Sequence, residues 1–266
     1  MPLDKPKVMG ILNVTPDSFY TGSRVSGAAL LGHAEKMLKE GASFLDIGGY
    51  STRPGAPDIS EEEECRRVLP AVQQVARQFP EAVISVDTYR SNVARAAVQE
   101  GAMMINDGSG GTLDSAMFET VAKLKVPYVL MHMQGTPQTM TSLTNYNNLV
   151  KDMMDYFNQR LAILSALDVK DVVLDPGFGF AKTSEQNFSL LTHLDHFKIA
   201  GKPILVGISR KSMIWKTLQT TAEHALNGTT SLNTIALLNG ADILRVHDVK
   251  EATEAVELVT ALRHSA

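Results

Sequence analysis

Polar and charged side chains recur where short apolar runs of this chain end. The set contains carboxylates, amides, cations and histidines: Asn13, Asp46, Asp87, Asn106, His132, Asp175, the Ser209–Lys211 group, Arg245 and His247. One such residue alone is usually a helix cap or a turn former. Several in register predict one pocket instead, because the carboxyl ends of all the strands in a parallel barrel meet at one mouth.

Three groups of residues could bind anions. Ser209–Ser212 is predicted to begin a helix, and hydroxyls and cations at a helix N-terminus suit phosphate or carboxylate. Arg245 and His247 lie two residues apart, so their side chains leave an extended strand on the same side. The loop Gly48–Gly55 carries hydroxyls and Arg53, with an ordinary surface loop as the alternative. A solvated basic patch is the alternative for the first two groups, but barrels often bind phosphate near the loops after strands seven and eight.

Two carboxylates and two amides could bind a heterocycle and a metal ion. Asp87, Asn106 and Asp175 could bind a ring with adjacent N–H donors and one acceptor, because a carboxylate makes paired charge-assisted hydrogen bonds with an amidine-like edge. A buried polar network is the alternative, and a metal site is disfavoured because no histidine pair at ligand spacing lies near them. Asn13 could ligate Mg²⁺ together with a substrate phosphate, or could only fix the following turn.

The apolar runs predict the strands that carry these residues. They lie at Lys7–Val14, Phe44–Gly48, Ala82–Asp87, Met103–Asp107, Pro127–His132, Asp171–Asp175, Pro203–Ile208 and Ala241–Val246. Continuous apolar runs are typical of parallel strands buried on both faces. Helical spacing occurs between them, as in Ala28–Glu40, Glu61–Gln78, Ser91–Glu100, Leu149–Leu167 and Ser231–Asn239. Gly41, Gly101 and Gly240 are each expected just past a helix.

Eight strand–helix units in 266 residues predict an α/β fold of the (β/α)8 TIM-barrel type, with one domain over residues 1–266. The net charge of -4 argues against non-specific nucleic-acid binding. No run approaches the roughly 18 apolar residues of a membrane span. The single cysteine, Cys65, cannot form an internal disulfide, which favours a reducing compartment, and we expect a cytoplasmic protein.

The chain resembles the dihydropteroate synthase family, the folate-pathway enzymes that sulfonamides target. The resemblance covers essentially the whole chain and lies in eight ordered segments: Gly10–Phe19, Gly48–Ala56, Ser85–Thr88, Ile105–Asp107, Met131–Met133, Asp175–Phe180, Ser209–Ser212 and Arg245–Asp248. It implies a transferase that condenses (7,8-dihydropterin-6-yl)methyl diphosphate with 4-aminobenzoate, giving 7,8-dihydropteroate and diphosphate. It also implies Mg²⁺ as cofactor and a homodimer that meets through outer helices.

The same resemblance implies a role for each matching residue. The pterin would be held by Asp87, Asn106, Asp175, Lys211, Met131 and Phe178. The 4-aminobenzoate pocket would be bordered by Thr52, Pro54, Ser212 and Phe19. Contacts to the diphosphate would come from Asn13, Arg53, Arg245 and His247, and Asn13 would also ligate Mg²⁺. The residues expected to act in catalysis are Asp87, Lys211, Asn13 and Asp17.

An SN1-like reaction agrees with these residue types. Diphosphate leaves readily once Mg²⁺ and cations carry its charge, and a carboxylate such as Asp87 would stabilise the cation left on the pterin side. Two positions depart from the family pattern: Thr21 stands where a loop carboxylate is common, and Tyr50 where Glu is common. Asp17 is one candidate to replace that carboxylate.

Three other functions are compatible with parts of the pattern. A pterin-binding methyltransferase module, passing a methyl group from a folate to a corrinoid, would not need the diphosphate contacts of Asn13, Arg245 and His247. A Schiff-base aldolase would use Lys211 as its nucleophile, whereas Ser209–Ser212 suits anion or ring binding better. An inactive folate-binding barrel is suggested only by Thr21.

Overall fold

The structure is a computed structural model that describes residues 3–15, 25–50 and 58–265. Within these ranges the strands are β1 (Lys7–Asn13), β2 (Phe44–Gly48), β3 (Val83–Asp87), β4 (Met104–Asp107), β5 (Tyr128–Met131), β6 (Val172–Asp175), β7 (Leu205–Val206) and β8 (Ile243–Val246). The helices are α1 (Val25–Lys39), α2 (Glu61–Gln78), α3 (Ser91–Gln99), α4 (Met117–Leu124), α5 (Leu149–Ala166), α6 (Ser184–Thr192), α7 (Ser212–Thr217), α8 (Leu226–Leu238) and α9 (Val249–His264). Short 3₁₀ turns lie at Met140–Ser142 and Leu194–Ala200. None of the helices in the described ranges has the length and apolar character to cross a bilayer.

The strands form a parallel sheet that closes on itself as a barrel. Their order is β6-β5-β4-β3-β2-β1-β8-β7, so neighbours in sequence are neighbours in space. Leu174 of β6 also pairs in parallel with Ile204, the residue before β7, and this bridge joins the two ends of the sheet. The predicted (β/α)8 barrel is therefore confirmed, and the carboxyl ends of all eight strands open on one side.

An apolar layer fills the barrel below that opening. The inward side chains Met9, Phe44, Met104, Val129, Val173, Leu205 and Ile243 form a cluster of their own, apart from the larger core between strands and helices. Side chains alternate along a strand, so the residue two positions further on also points inward. That rule places Asp46, Asn106, Asp175 and Arg245 directly above the apolar layer.

Local signals in the sequence account for several helix ends. Gly41, Gly101 and Gly240 have φ of 102°, 116° and 99°, as expected for glycines just past a helix. Thr183 forms a reciprocal capping box with Gln186 at the start of α6. The predicted start of α8 at Ser231 is too late, since the helix begins at Leu226.

The first turn of α8 closely approaches a neighbouring helix. The glycine in its first turn, Gly228, lies so near α7 that a Cβ there would be 2.5 Å from Ile214 Cγ2. This glycine, which alone suggests a turn, therefore serves helix packing instead.

Candidate active site

Four register-matched positions form a row across the mouth of the barrel. Asn13 pairs with Gly48, Gly48 with Asp87, and Asp87 with Asn106. A Cβ at Gly48 would lie 3.7 Å from Asn13 Oδ1 and 3.8 Å from Asp87 Oδ2. The glycine therefore leaves space between the amide and the carboxylate, where a ligand could contact both.

Arg245 joins three strands beneath this row. Its Nε donates to Asp46 Oδ2 at 2.7 Å, and its Nη2 donates to Asp87 Oδ2 at 2.7 Å. Asn106 Nδ2 donates to the same Asp46 oxygen at 2.9 Å. Asp46 is fully buried, and its Oδ1 has no hydrogen-bond partner within the described part of the chain. Two carboxylates thus share one guanidinium at the entrance to the barrel interior.

Burial and these charges set the ionisation of the network. Burial raises the pKa of Asp87 above its ordinary value, and Arg245 opposes this shift while Asp46 adds to it. Burial would lower the pKa of Arg245, but Asp46 and Asp87 hold it above its ordinary value. Arg245 is therefore a permanent cation, and it supports the negative charge of Asp87 in a poorly hydrated place.

Asp175 is the last residue of β6, and Lys211 lies on the loop after β7. Asp175 is buried, and its Oδ1 accepts a hydrogen bond from the Gly177 amide at 2.7 Å. The Lys211 ammonium donates to the carbonyl oxygen of Phe178 and lies 4.6 Å from the centre of the Phe180 ring. Burial lowers the pKa of Lys211 to about 8, and Asp175 opposes this shift. Lys211 is thus a cation close to its titration point.

The remaining predicted residues occupy different surroundings. Met131 is buried in a small apolar cluster with Met133 and Met140. The Phe178 ring is fully buried in the core between strands and helices, so its carbonyl, rather than its ring, contacts Lys211. His247 Nδ1 lies 3.0 Å from Ser209 Oγ at the ends of β8 and β7, and Ser212 is exposed at the start of α7.

Some predictions fall outside the described ranges. Asp17, Phe19, Thr21, Thr52, Arg53 and Pro54 all lie there. The second departure from the family pattern, Tyr50, is described: it is buried, and Gln138 Nε2 donates to its hydroxyl at 3.2 Å. Its ring also packs edge-on against Tyr89. Tyr50 therefore contacts the surrounding framework of the mouth.

Four side chains contribute in ways that the residue pattern did not predict. Arg210 pairs with Asp248 through Nε at 2.9 Å and Nη2 at 2.8 Å, so this guanidinium does not serve as a free anion contact. The residue pattern indicated Asp46 only as the polar end of a strand, but its carboxylate pairs with Arg245 and offsets the charge of that guanidinium. Its position two residues after Phe44 is the signal that indicates an inward carboxylate. Phe180 and Lys182 belong to the β6–α6 loop, and no periodic pattern indicates which loop side chains turn inward.

The surroundings of Asn13 suit a magnesium ion held mainly by its substrate. Within the described residues, no group of three or more His, Cys, Asp or Glu side chains is arranged to hold a metal. Asn13 is half-buried and supplies one hard amide oxygen beside the gap at Gly48. Mg²⁺ usually keeps several waters and binds one or two protein groups together with substrate phosphates. The residues present therefore fit an ion that arrives with a phosphate ligand.

This mouth can bind a polar heterocycle and an anion side by side. Asp87, Asn106, Asp175 and Lys211 offer acceptors and donors around one space above the apolar layer. Arg245 and His247 supply cationic and imidazole groups next to it, and Asn13 supplies an amide oxygen. An arrangement of this kind favours reactions in which an anionic group leaves a ring-bearing substrate.

Comparisons with known proteins show which family the chain belongs to. The family described as pterin binding enzyme matches residues 9–247. The chain is 44% identical over 259 residues to the dihydropteroate synthase of Synechocystis sp., covering 96% of this chain and 89% of that protein. It is 43% identical over 262 residues to that of Escherichia coli, covering 97% and 92%. The structure of Yersinia pestis dihydropteroate synthase with a sulfonamide drug superposes with a TM-score of 0.93 at 42% identity, covering 100% of this chain and 97% of that one.

Proposed function

The chain belongs to the dihydropteroate synthase family of pterin-binding enzymes, and we propose that its barrel mouth divides into three subsites for that reaction. The enzyme is a transferase of folate synthesis that condenses (7,8-dihydropterin-6-yl)methyl diphosphate with 4-aminobenzoate. The relatives carry this name, and so the alternative of a methyltransferase module is not favoured. The observation that supports this division is the row of register-matched residues from Asn13 to Asn106, with Arg245 beneath it.

The pterin subsite comprises Asp87, Asn106, Asp175, Lys211 and Met131, with the carbonyl of Phe178. The diphosphate subsite comprises Asn13, Arg53, Arg245 and His247. Thr52, Pro54, Ser212 and Phe19 border the 4-aminobenzoate subsite by resemblance. The Yersinia pestis relative was solved with a sulfonamide, and we place drugs of that class in the same subsite here. The relative from Xanthomonas albilineans was solved with 4-aminobenzoic acid.

The reaction proceeds in an SN1-like manner in this proposal. The bond between the exocyclic carbon and the diphosphate oxygen breaks, and the electron pair leaves with the diphosphate. Asp87 in its ionised form stabilises the resulting cation, and Arg245 orients this carboxylate and opposes the rise of its pKa caused by burial. The arylamine nitrogen then forms the new bond to the exocyclic carbon and gives up its proton to water or to the released diphosphate. A weakly basic amine attacks without a strong general base, and among the described residues Asp87 and Lys211 have pKa values suited to exchange protons.

Removing Mg²⁺ is expected to abolish diphosphate release. When bound, the ion would neutralise the leaving group, and Asn13 would hold it through its amide oxygen. A coupled diphosphate-release assay should require the pterin diphosphate, 4-aminobenzoate and Mg²⁺ together.

Asn13→Ala should raise the Mg²⁺ concentration for half-maximal rate by about tenfold or more, as loss of a metal contact commonly does. Asn148→Ala, which removes a helix-capping amide from α5, is the matched control and should leave that concentration unchanged. Full activity in excess chelator would contradict the proposal.

A homodimer through the outer faces of α8 and α9 is also part of the proposal. Large apolar side chains are exposed there, with Ile235 and Leu238 on α8 and Leu258 and Leu262 on α9. The two helices pack together, and Arg263 Nη2 donates to Leu237 O. Exposed large apolar side chains on two adjacent helices are a feature of protein–protein interfaces.

Sedimentation is expected to give a dimer for the unmodified protein and a monomer for Leu258→Asp, because a carboxylate would have to be desolvated at the interface. Ile163→Asp changes an equally apolar exposed side chain on α5 and should remain dimeric. A monomeric unmodified protein, or a dimer that survives Leu258→Asp, would argue against this interface.

We propose further that residues 1–266 form one domain, because all described strands and helices belong to a single barrel. A cytoplasmic location is proposed from the single cysteine, Cys65, and from the folate-synthesis role of the bacterial relatives.

A further inference from the structure

A second lysine lies buried beneath the loop between β6 and α6 and belongs to none of the three subsites. The Lys182 side chain contacts three acceptors: His132 Nδ1 at 3.0 Å, Gly177 O at 3.1 Å and Phe180 O at 3.0 Å. An ammonium has three N–H donors, so each donor has one acceptor. Lys182 therefore ties the loop to itself and to the end of β5.

This cation is buried without a direct carboxylate partner. Lys182 is only 8% exposed, and among the ion pairs of the described residues none includes it. Burial lowers the pKa of Lys182 to about 7, with Asp175 opposing the shift and Lys211 adding to it. Burying such a group is costly unless hydrogen bonds compensate for the lost water. Its position beside a ligand site points to a task at that site.

The histidine below Lys182 is suited to accept its hydrogen bond. Burial, together with the charges of Lys182 and Arg160, lowers the pKa of His132 to about 2. The imidazole is therefore neutral, and Nδ1 can act as an acceptor. The loop lies directly on this strand end, since a Cβ at Gly177 would be 2.1 Å from His132 O. Gly177, at φ 69°, permits this approach.

The turn between the two carbonyls that Lys182 binds carries the groups of the pterin subsite. Within it, the Phe178 carbonyl accepts from Lys211, and the Phe180 ring lies against the Lys211 ammonium. At its start, the Gly177 amide donates to Asp175 Oδ1. The two lysines therefore bind different carbonyls of one turn, Lys182 those of Gly177 and Phe180 and Lys211 that of Phe178.

We propose that Lys182 is a positioning residue for the pterin subsite: it holds both ends of the Gly177–Phe180 turn, and thereby orients Lys211 and Asp175 toward the ring. This role rests on the proposed function, because it assumes that Lys211 and Asp175 bind the pterin. Lys182 should therefore affect binding of the pterin diphosphate and not binding of 4-aminobenzoate.

The test is Lys182→Met, which keeps the length of the side chain and removes its donors. The KM for the pterin diphosphate is expected to rise about tenfold or more, because the turn loses two hydrogen bonds to its carbonyls and its tie to His132. The KM for 4-aminobenzoate should change less than about twofold. Val259→Ala, a cavity-forming change in α9, controls for a loss of Tm without a change at the mouth. It should leave both KM values unchanged.

A second pair of variants keeps the proposal testable if Lys182→Met does not fold. His132→Phe removes one acceptor and should raise the pterin KM by about threefold, whereas His132→Asn keeps an acceptor near Nδ1 and should stay close to the unmodified protein. Equal changes in both KM values, or none in the pterin KM, would overturn the role of Lys182. Lys211→Met in the same assay separates the two proposals. If its pterin KM is also unchanged, the pterin subsite itself is wrong, whereas a rise for Lys211→Met alone contradicts only the role of Lys182.

Discussion

Replacing Asp87 with asparagine is expected to lower kcat by about 10³-fold, in line with the loss of one charged group that stabilises a transition state. The amide keeps the shape of the side chain but cannot offset a cation at the exocyclic carbon. Arg245 Nη2 would also lose its carboxylate partner at 2.7 Å, while its contact with Asp46 remains. The fold should therefore survive, which urea unfolding can verify. The measurement is the initial rate of diphosphate release at saturating substrates.

The matched control makes the same chemical change outside the subsites. Asp114→Asn lies in the loop after β4, where Asp114 Oδ2 accepts from the Ser91 amide at 2.7 Å. Its kcat should stay within about threefold of the unmodified protein, and an equal loss in both variants would remove the special role of Asp87.

Scrambling of an oxygen label between bridging and non-bridging positions of the diphosphate, without 4-aminobenzoate, would support the SN1-like step. That scrambling should fall with kcat in Asp87→Asn.

Replacing Lys211 with methionine is expected to lower kcat/KM for the pterin diphosphate by about 10²-fold, because a buried charged hydrogen bond contributes about 1.5 to 3 kcal/mol and neighbouring groups lose their partner. Burial raises the pKa of Asp175, and the variant would remove the Lys211 cation that opposes this shift. The KM for the pterin diphosphate, measured at saturating 4-aminobenzoate, should carry most of the change. Lys216→Met, on the exposed side of α7, is the control and should be unaffected.

The pH profile offers an independent check on Lys211. Because burial lowers the pKa of Lys211 to about 8, the ammonium is present below that pH and is lost above it. The kcat/KM of the unmodified protein should therefore fall as the pH rises through about 8. In Lys211→Met the low residual rate should lack this fall. If the fall of kcat/KM near pH 8 persists in the variant, a group other than Lys211 causes it.

The position of the site was largely predictable from the residues. Apolar runs indicated the strands, and polar residues at their ends indicated the mouth, because parallel strands in a barrel present their carboxyl ends on one side. Alternation by two residues further determined which side chains point inward. Asp46, Asn106 and Arg245 follow Phe44, Met104 and Ile243 of the apolar layer by this rule.

The partners of those side chains were not predictable. Asp46 and Arg245 are 199 residues apart in sequence, and their 2.7 Å contact arises because β2 and β8 flank β1 in the closed barrel. Arg210 shows the converse: its position at the start of a helix suggested an anion contact, but Asp248 from the next strand end binds it. A strand pattern carries no information about which distant charge will lie within hydrogen-bond reach.

The sequence by itself thus determined the strands and the chemical types gathered at one mouth, because backbone periodicity and burial act locally. Only the tertiary structure decided the ionisation and the roles of individual groups. The Phe178 ring packs in the core, and its carbonyl accepts a hydrogen bond from Lys211. Lys182 lies beneath the same turn and contacts His132 Nδ1. Such choices depend on packing between segments remote in sequence, since burial and charge at a loop side chain are set by the elements that close over it.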